Sequence, residues 1–408
     1  MEMENETIYA LWLYSIDGIG EKTCRAFVES FGNARQVYEV ALHGNEEKLP
    51  LDKIELKGIL SKRKWQSMIR SAQTDGMEKA KDQRTLWESQ GIHMVVHGQA
   101  GYPERLMDIP DPPFILFFKG TLPAEEVPSV AIVGARECSA YGEFVARELG
   151  KSLGKAGIQV ISGMAKGIDG ISQGAALEEN GRSFGVLGSG VDVCYPKTNQ
   201  KLYERLCEKG GVISAYFPGT VPTPNSFPPR NRIVSGLADA LIVVEARAKS
   251  GTLITVDMAL EQGKDVFVVP GRIIDRLSDG CNRLLALGAT PVLTPTELIG
   301  QLQEICRNKG IHNTPIRKEV QSIEPLMSDA PEEKQVSNSE KHKTGGTLAD
   351  RILANLERTP VSTGQIVERL QHTGNTEFGL ITMELLKMCA EGRARQISPG
   401  QFVRVDKK

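Results

Sequence analysis

The spacing of apolar side chains changes character along the chain. Residues 8–40 repeat them at helical intervals, and residues 46–90 continue as charged helical segments. Trp65 and Trp87 in that stretch are expected to fill a small core rather than stack on bases. From about His93 the pattern shifts to short apolar runs and proline-rich turns: HMVVHG, Tyr102-Pro103, Ile109-Pro110-Asp111-Pro112-Pro113, then Ile115–Phe118 before Gly120. A proline cluster ahead of an apolar strand reads as a fixed entry into a new domain, so a boundary is placed near residue 95. Between 129 and 306, strand-length apolar runs alternate with amphipathic helical stretches. Strands are expected at 130–134, 158–162, 184–188, 211–215, 239–245, 265–269 and 290–293, which makes this an α/β region with a mostly parallel sheet covered by helices on both faces.

Residues 311–346 are rich in Lys, Glu, Ser, Asn and Pro, bury too little apolar surface to fold alone, and read as a flexible linker. Beyond them, helices are expected at Thr347–Arg358, Ser362–Gln371 and Glu377–Glu391, and a hairpin at Ala394–Ile397 and Gln401–Val405. That is the order of a winged-helix domain. Its third helix, ITMELLKMCAEG, is apolar and carries acids, a poor surface for a major groove, so the module reads as a protein-interaction or weakly DNA-associating domain. The expected organisation is a helical module over 1–95, the sheet domain over 96–310, the linker over 311–346 and the winged helix over 347–408.

Bulk properties narrow the chemistry. A chain of 408 residues is too long for one ordinary domain. Its net charge of −2 carries no global signal for nucleic acid, so any polyanion site must be local. Seven cysteines without a C-x-x-C pair and six scattered histidines argue against a disulfide framework or a structural zinc site. No metal or cofactor is expected, and a reducing cytoplasm is the natural location. The start MEMENETIYA is not a signal peptide, and no apolar run approaches the roughly 18 residues of a membrane span.

The local site is best sought at Ser129–Gly142, SVAIVGARECSAYG. Val130–Val133 is a buried strand ended by Gly134, and the helix Tyr141–Lys155 follows. A glycine turn between strand and helix leaves backbone N–H groups unpaired, and the helix dipole favours an anion there. Arg136 adds a fixed guanidinium, although the G-x-G-x-x-G dinucleotide fingerprint is absent. Similar turns follow the other strands: Ser162-Gly163-Met164-Ala165-Lys166-Gly167-Ile168-Asp169, Leu187-Gly188-Ser189-Gly190-Val191-Asp192, Phe227-Pro228-Pro229-Arg230-Asn231-Arg232, and Ser250-Gly251-Thr252. Ligands of parallel sheets bind beyond the C-terminal strand ends. Arg136, Lys166, Arg230 and Arg232 are therefore expected to line one basic, glycine-floored groove, with Asp169, Asp192 and Glu245 as helix caps or ion-pair partners rather than catalysts. Near the N-terminus, Gly18 and Gly20 with Lys22 have the spacing of a helix-hairpin-helix turn, whose backbone can approach a DNA phosphate. The alternative for that turn is a tight helix–helix connection without a ligand.

In series, YPERLMDIPDPPFILFFKG, VAIVGAR, SGMAKGID, LGSGVDVCYPKTN, FPPRNRIVSGLADALIVVEA, SGTLITVDMALEQGKDVFVVPG and SDGCNRLLALGA resemble the DprA/Smf family of bacterial DNA-processing proteins over residues 102–289. The resemblance implies an extended Rossmann-like domain, with a SAM- or helix-hairpin-helix-like module before it. It implies a homodimer that binds single-stranded DNA without strong sequence preference, protects incoming DNA in natural transformation, displaces single-strand-binding protein and helps load the RecA recombinase. It also implies contacts from Gly134-Ala135-Arg136 and from Phe227–Arg232. Ala135 stands where the family usually has Ser or Thr, so one hydroxyl contact to phosphate is missing. Phe227 and Tyr195 are candidates for base stacking.

Two other classes stay open at this level. Ser250-Gly251-Thr252 with Glu261 resembles part of the signature of nucleoside-monophosphate phosphoribohydrolases, but Arg247-Ala248-Lys249 replace the paired glycines, and no rim loop holds a histidine. A pure adaptor, with the sheet as scaffold only, is the other.

Overall fold

The N-terminal helical periodicity becomes α1 (Glu2–Ser15), α2 (Glu21–Phe31), α3 (Ala34–Leu42), α4 (Lys62–Gln73) and α5 (Gly76–Ser89) in the computed structural model. The structure describes residues 2–44, 60–308, 348–356, 361–362, 366, 369–370, 378–391, 393–398 and 401–405. The expected linker over 311–346 lies outside them, as does most of the helix expected over 362–371. The chain divides into two compact units, 1–326 and 327–408.

In the first unit the α1–α2 turn forms as the glycine spacing predicts. Ile16 and Ile19 point into the core, while Gly18, at φ +80°, Gly20 and Lys22 are exposed. Trp65 and Trp87 are buried as expected, and Trp87 meets Phe117 edge-on with ring centroids 5.3 Å apart.

The sheet comprises β1 (His93–Val96), β2 (Ile115–Gly120), β3 (Ser129–Val133), β4 (Gln159–Ser162), β5 (Ser183–Val186), β6 (Gly211–Ser214), β7 (Ala240–Val243), β8 (Asp265–Val268) and β9 (Thr290–Pro291). Their order is β1-β2-β6-β5-β4-β3-β7-β8-β9, with β1–β2 and β2–β6 antiparallel and every other pair parallel. The boundary expected near residue 95 falls inside β1, which pairs with β2 from His93 to Val96.

Parallel strands covered on both faces must be apolar on both. In β3 all five residues are buried: Ala131 and Val133 face a core with Ile233, Leu237 and Val256, while Val130 and Ile132 face another with Leu149, Leu153 and Leu298. The helices supplying those faces are α6 (Ala140–Lys155), α7 (Ile168–Glu178), α8 (Gln200–Lys209), α9 (Phe227–Gly236), α10 (Gly251–Glu261), α11 (Asp279–Ala286) and α12 (Pro295–Asn308). Arg105 pins the incoming segment beneath the sheet, with Nε 3.1 Å from Asp239 and Nη1 3.1 Å from Glu125. From β3 the chain winds outward through β4, β5 and β6, then returns to β7 on the other side of β3. That reversal opens a crevice at the C-terminal ends of β3 and β7.

The second unit contains α13 (Leu348–Asn355), β10 (Val361–Ser362), α14 (Phe378–Ala390), β11 (Ala394–Ser398) and β12 (Gln401–Arg404), with sheet order β10-β12-β11. Ser362, expected to start a helix, lies in β10 instead, where it pairs with Gln401.

Candidate nucleic-acid interface

The glycine turns after β3 and β4 close on each other at the crevice. Gly167, at φ +74°, has no room for a side chain: a Cβ there would lie 2.3 Å from the Ala135 carbonyl oxygen. Ile168 N, at the start of α7, donates to that same carbonyl at 3.2 Å. Between these turns and the start of α10 is a cavity of about 260 Å³ lined by Gly134, Arg136, Gly163, Asn231, Ser250, Gly251 and Thr252, with Asp169 and Arg230 at its base. Ser250 caps α10 by accepting from Thr252 N at 3.1 Å, and the first turn of that helix adds its positive dipole end to the lining.

A second cavity, of about 250 Å³, is lined by Lys166, Tyr195, Pro196 and Phe227 and shares Arg136, Gly163, Ala165 and Arg230 with the first. Arg136 is exposed at the shared mouth. Its guanidinium carbon lies 5.3 Å from the centre of the Phe227 ring, and that of Arg230 lies 5.8 Å from it. Phe227 is thus engaged by two cations. Tyr195, 45% exposed and with its ring centre 5.7 Å from that of Phe227, is the more exposed of the two rings.

Arg230 itself is a buried strut, 6% exposed, and Nη1 donates to the Val186 carbonyl at 2.5 Å. Burial pulls its guanidinium down to about 10, Asp169 works against that shift, and nearby Arg136 adds to it. Burial also pushes the Asp169 carboxyl up, against the pull of Arg230 and of hydrogen bonds that include Gly163 N at 3.1 Å from Oδ2. The Nε of Arg230 is buried at the cavity without a partner among the described residues. Gly163 fits only because it lacks a side chain, since a Cβ would lie 2.2 Å from Arg230 Nη1. Gly163→Ala is therefore expected to destabilise the first unit by about 1–3 kcal/mol through overpacking. An unchanged urea midpoint would mean that Arg230 moves aside freely.

Several residues expected on the groove are elsewhere. Arg232 faces α2: its Nη2 donates to Glu21 Oε2 at 2.6 Å, and its Nη1 is 3.8 Å from Asp111 Oδ2. Arg25 bonds Asp111 and the Pro112 carbonyl in the same cluster. Residues two apart on a helix point about 200° apart, so Arg230 and Arg232 cannot share a groove. Gly188 and Gly190 are buried beneath the site rather than lining it. A Cβ at Gly188 would lie 2.9 Å from Phe227 Cδ1, and Gly190 N donates to the Thr220 carbonyl at 2.9 Å. Ser162 is also internal, donating from Oγ to the Ile132 carbonyl at 2.5 Å.

The acids serve the fold. Glu245 accepts from Ser139 N at 2.9 Å at the start of α6, and Asp192 accepts from Gly219 N at 2.7 Å. Val234 and Thr255 line the first cavity although sequence reasoning passed over them. Their positions four residues after Arg230 and Gly251 on α9 and α10 were the available signal. Among the described residues no cluster of three or more His, Cys, Asp or Glu is placed to hold a metal ion. No described helix is long and apolar enough to cross a membrane.

A doubly wound sheet with a crevice at its switch point, walled by glycine turns, a guanidinium and a helix start, is a Rossmann-like fold. The chain belongs to the family described as DNA recombination-mediator protein A, whose sequence model matches residues 93–303. It is 42% identical to the DNA processing protein DprA of Streptococcus pneumoniae over 202 residues, which is 50% of this chain and 71% of that protein. It is 33% identical to the protein Smf of Synechocystis over 302 residues, 71% of this chain and 76% of that protein. The X-ray structure of the Streptococcus pneumoniae protein superposes with a TM-score of 0.61 at 33% identity, covering 73% of this chain and 97% of that one.

Proposed function

We propose that this recombination-mediator family member binds single-stranded DNA without strong sequence preference across the switch-point crevice. Arg136 and Lys166 meet phosphates, Asn231 and the Ser250-Gly251-Thr252 helix start donate to them, and Tyr195 stacks on a base. The observation that carries the reading is Arg136, exposed at the mouth of two joined cavities and held against Phe227. The Gly18–Gly20 turn with exposed Lys22 is a secondary contact. In this reading the protein shields incoming DNA, displaces single-strand-binding protein and helps load RecA. It acts as a homodimer, a reading that the exposed apolar side chains Ile273, Ile274, Leu287 and Leu293 support. The helical module and the sheet domain work as one body, sharing the core in which Trp87 meets Phe117, and the winged helix works as a second part after the linker, a reading that the strand β10 joined to the β11–β12 hairpin supports.

The nucleotide-enzyme reading draws its acid from Glu261. Glu261 is exposed at the far end of α10, about 15 Å along the axis from Gly251, and lines neither cavity.

The test is fluorescence anisotropy with oligo-dT of roughly 20–60 nucleotides and the matching duplex at several salt concentrations. The single strand is expected to bind more tightly, with log K falling by about 0.7 per phosphate contact for each tenfold rise in salt. Absence of binding to either, or a salt-independent affinity, would overturn the proposal.

A further inference from the structure

Beside the crevice, α6, α7 and α8 enclose a cleft of about 350 Å³ that none of the contacts above uses. Three cations border it, Arg147, Lys201 and Arg205, against the single carboxylate of Glu178. The chain as a whole is net negative, so this is a local concentration of positive charge. Lys201 is exposed, and the Arg147 side chain is 41% exposed, with long contacts among the described residues to Glu143 at 3.5 Å and Glu178 at 3.9 Å. Such exposed pairs are weak and readily exchanged for phosphate. Arg205 Nη2 leans over the cleft floor, 3.4 Å from the Gly174 carbonyl.

Two glycines of α7, Gly170 and Gly174, line the cleft beside Ile171 and Ala175. Gly170 is there for packing, because a Cβ would lie 2.9 Å from the Ala165 carbonyl and 3.0 Å from Asn199 Nδ2. Gly174, one turn on, has no such reason: a Cβ there would meet none of the described residues within 4 Å. A glycine inside a helix is less stable than alanine, so its place in an open, cationic cleft suits close approach by something outside the chain.

The cleft also continues the crevice. Tyr195 and Pro196 line the second cavity, while Thr198, Asn199 and Lys201 of the same segment line the cleft, and Lys166 and Gly167 divide in the same way. Asn199 ties the two together by donating from Nδ2 to the carbonyls of Met164 at 3.0 Å and Ala165 at 3.1 Å.

We infer that the α6–α7–α8 cleft is a further phosphodiester site, taking the single strand as it leaves the crevice past Tyr195. The inference rests on the reading of the crevice as a single-strand site. Its contacts are to backbone phosphate, so it lengthens the footprint without adding sequence preference.

The experiment compares oligo-dT of about 6 and about 20 nucleotides on the full chain, as parent, Arg147→Gln/Lys201→Glu and Arg136→Glu. The double variant is expected to bind the longer strand about 10-fold more weakly, bind the short one as the parent does, and show a salt slope shallower by about 1.4, two phosphates' worth. Gly174→Ala should melt no lower than the parent yet also weaken only the longer strand. Parent-like affinity of the double variant for the longer strand, with Arg136→Glu impaired, overturns the cleft and leaves the crevice standing. Equal losses for both lengths also overturn it, because the cleft would not then lie beyond the primary site. Parent-like binding by Arg136→Glu overturns the crevice reading itself and, with it, the path from crevice to cleft.

Discussion

Arg136→Glu is expected to weaken binding of single-stranded DNA by about 100-fold while leaving the thermal transition of the first unit unchanged. Arg136 is exposed, and its neighbours at the mouth are the Phe227 ring and the backbone of the turn. The fold therefore does not depend on it. Its loss removes a charge-assisted contact worth about 1.5–3 kcal/mol, or roughly 10- to 150-fold, and the new carboxylate adds repulsion at a site converging on phosphate. Arg136→Lys should fall between the two, since lysine retains charge but loses the planar fork and the ring contact. Paired anisotropy and melting curves decide the matter. Parent-like affinity in Arg136→Glu would remove the crevice as the DNA site, and a lowered melting temperature would make it a structural residue instead. Arg232→Ala is the informative contrast. It should lower stability by leaving half-buried Glu21 without its hydrogen-bonded partner, and it should leave the crevice's phosphate contacts in place, because its guanidinium faces α2.

That contrast marks where sequence reasoning reached its limit. The strands were legible because a parallel strand buried on both faces must be an unbroken apolar run, and Val130–Val133, Val160–Ile161 and Ala240–Val243 are such runs. The Arg136 turn was legible for a related reason, since a glycine that ends such a strand ahead of a helix has few other uses. The two arginines of Phe227–Arg232 were not separable without knowing where α9 starts, and the partner of Arg232 lies 211 residues away at Glu21. Glycines misled in another way. A glycine that lets a phosphate approach and one that lets Phe227 approach read identically, and Gly188 is the second kind. The same ambiguity holds for Gly174, because only packing reveals that a Cβ there would meet no described residue within 4 Å. What sequence gave least warning of was burial: Arg230 looked like a surface contact and is an internal strut.

Asp169→Ala is expected to produce the largest loss of stability of any change at the site. Asp169 and Arg230 are 8% and 6% exposed, and burial works against the charged form of both. The two charges offset each other's burial beside Gly163, so removing one leaves the other uncompensated, at a cost of about 3–5 kcal/mol. Here the stranded group would be a guanidinium whose Nε already lacks a partner, and Gly163 N would lose its acceptor as well. For a unit of this size the expected fall in melting temperature is about 10 °C. Asp169→Asn keeps an acceptor for Gly163 N but not the countercharge, so its loss should be smaller. Asp169→Ala/Arg230→Met, which removes both charges, should recover part of the loss, and a double-mutant cycle would isolate the coupling. DNA affinity should not recover with it, because Arg230 also braces the Phe227 ring against which Arg136 is held. Additive losses in the cycle would mean that Asp169 and Arg230 act independently, and the coupling between the turn after β4 and α9 would have to be sought elsewhere. Recovered stability without recovered affinity would instead separate the two jobs of this buried pair, one holding the fold and the other aiming Arg136 at the crevice mouth.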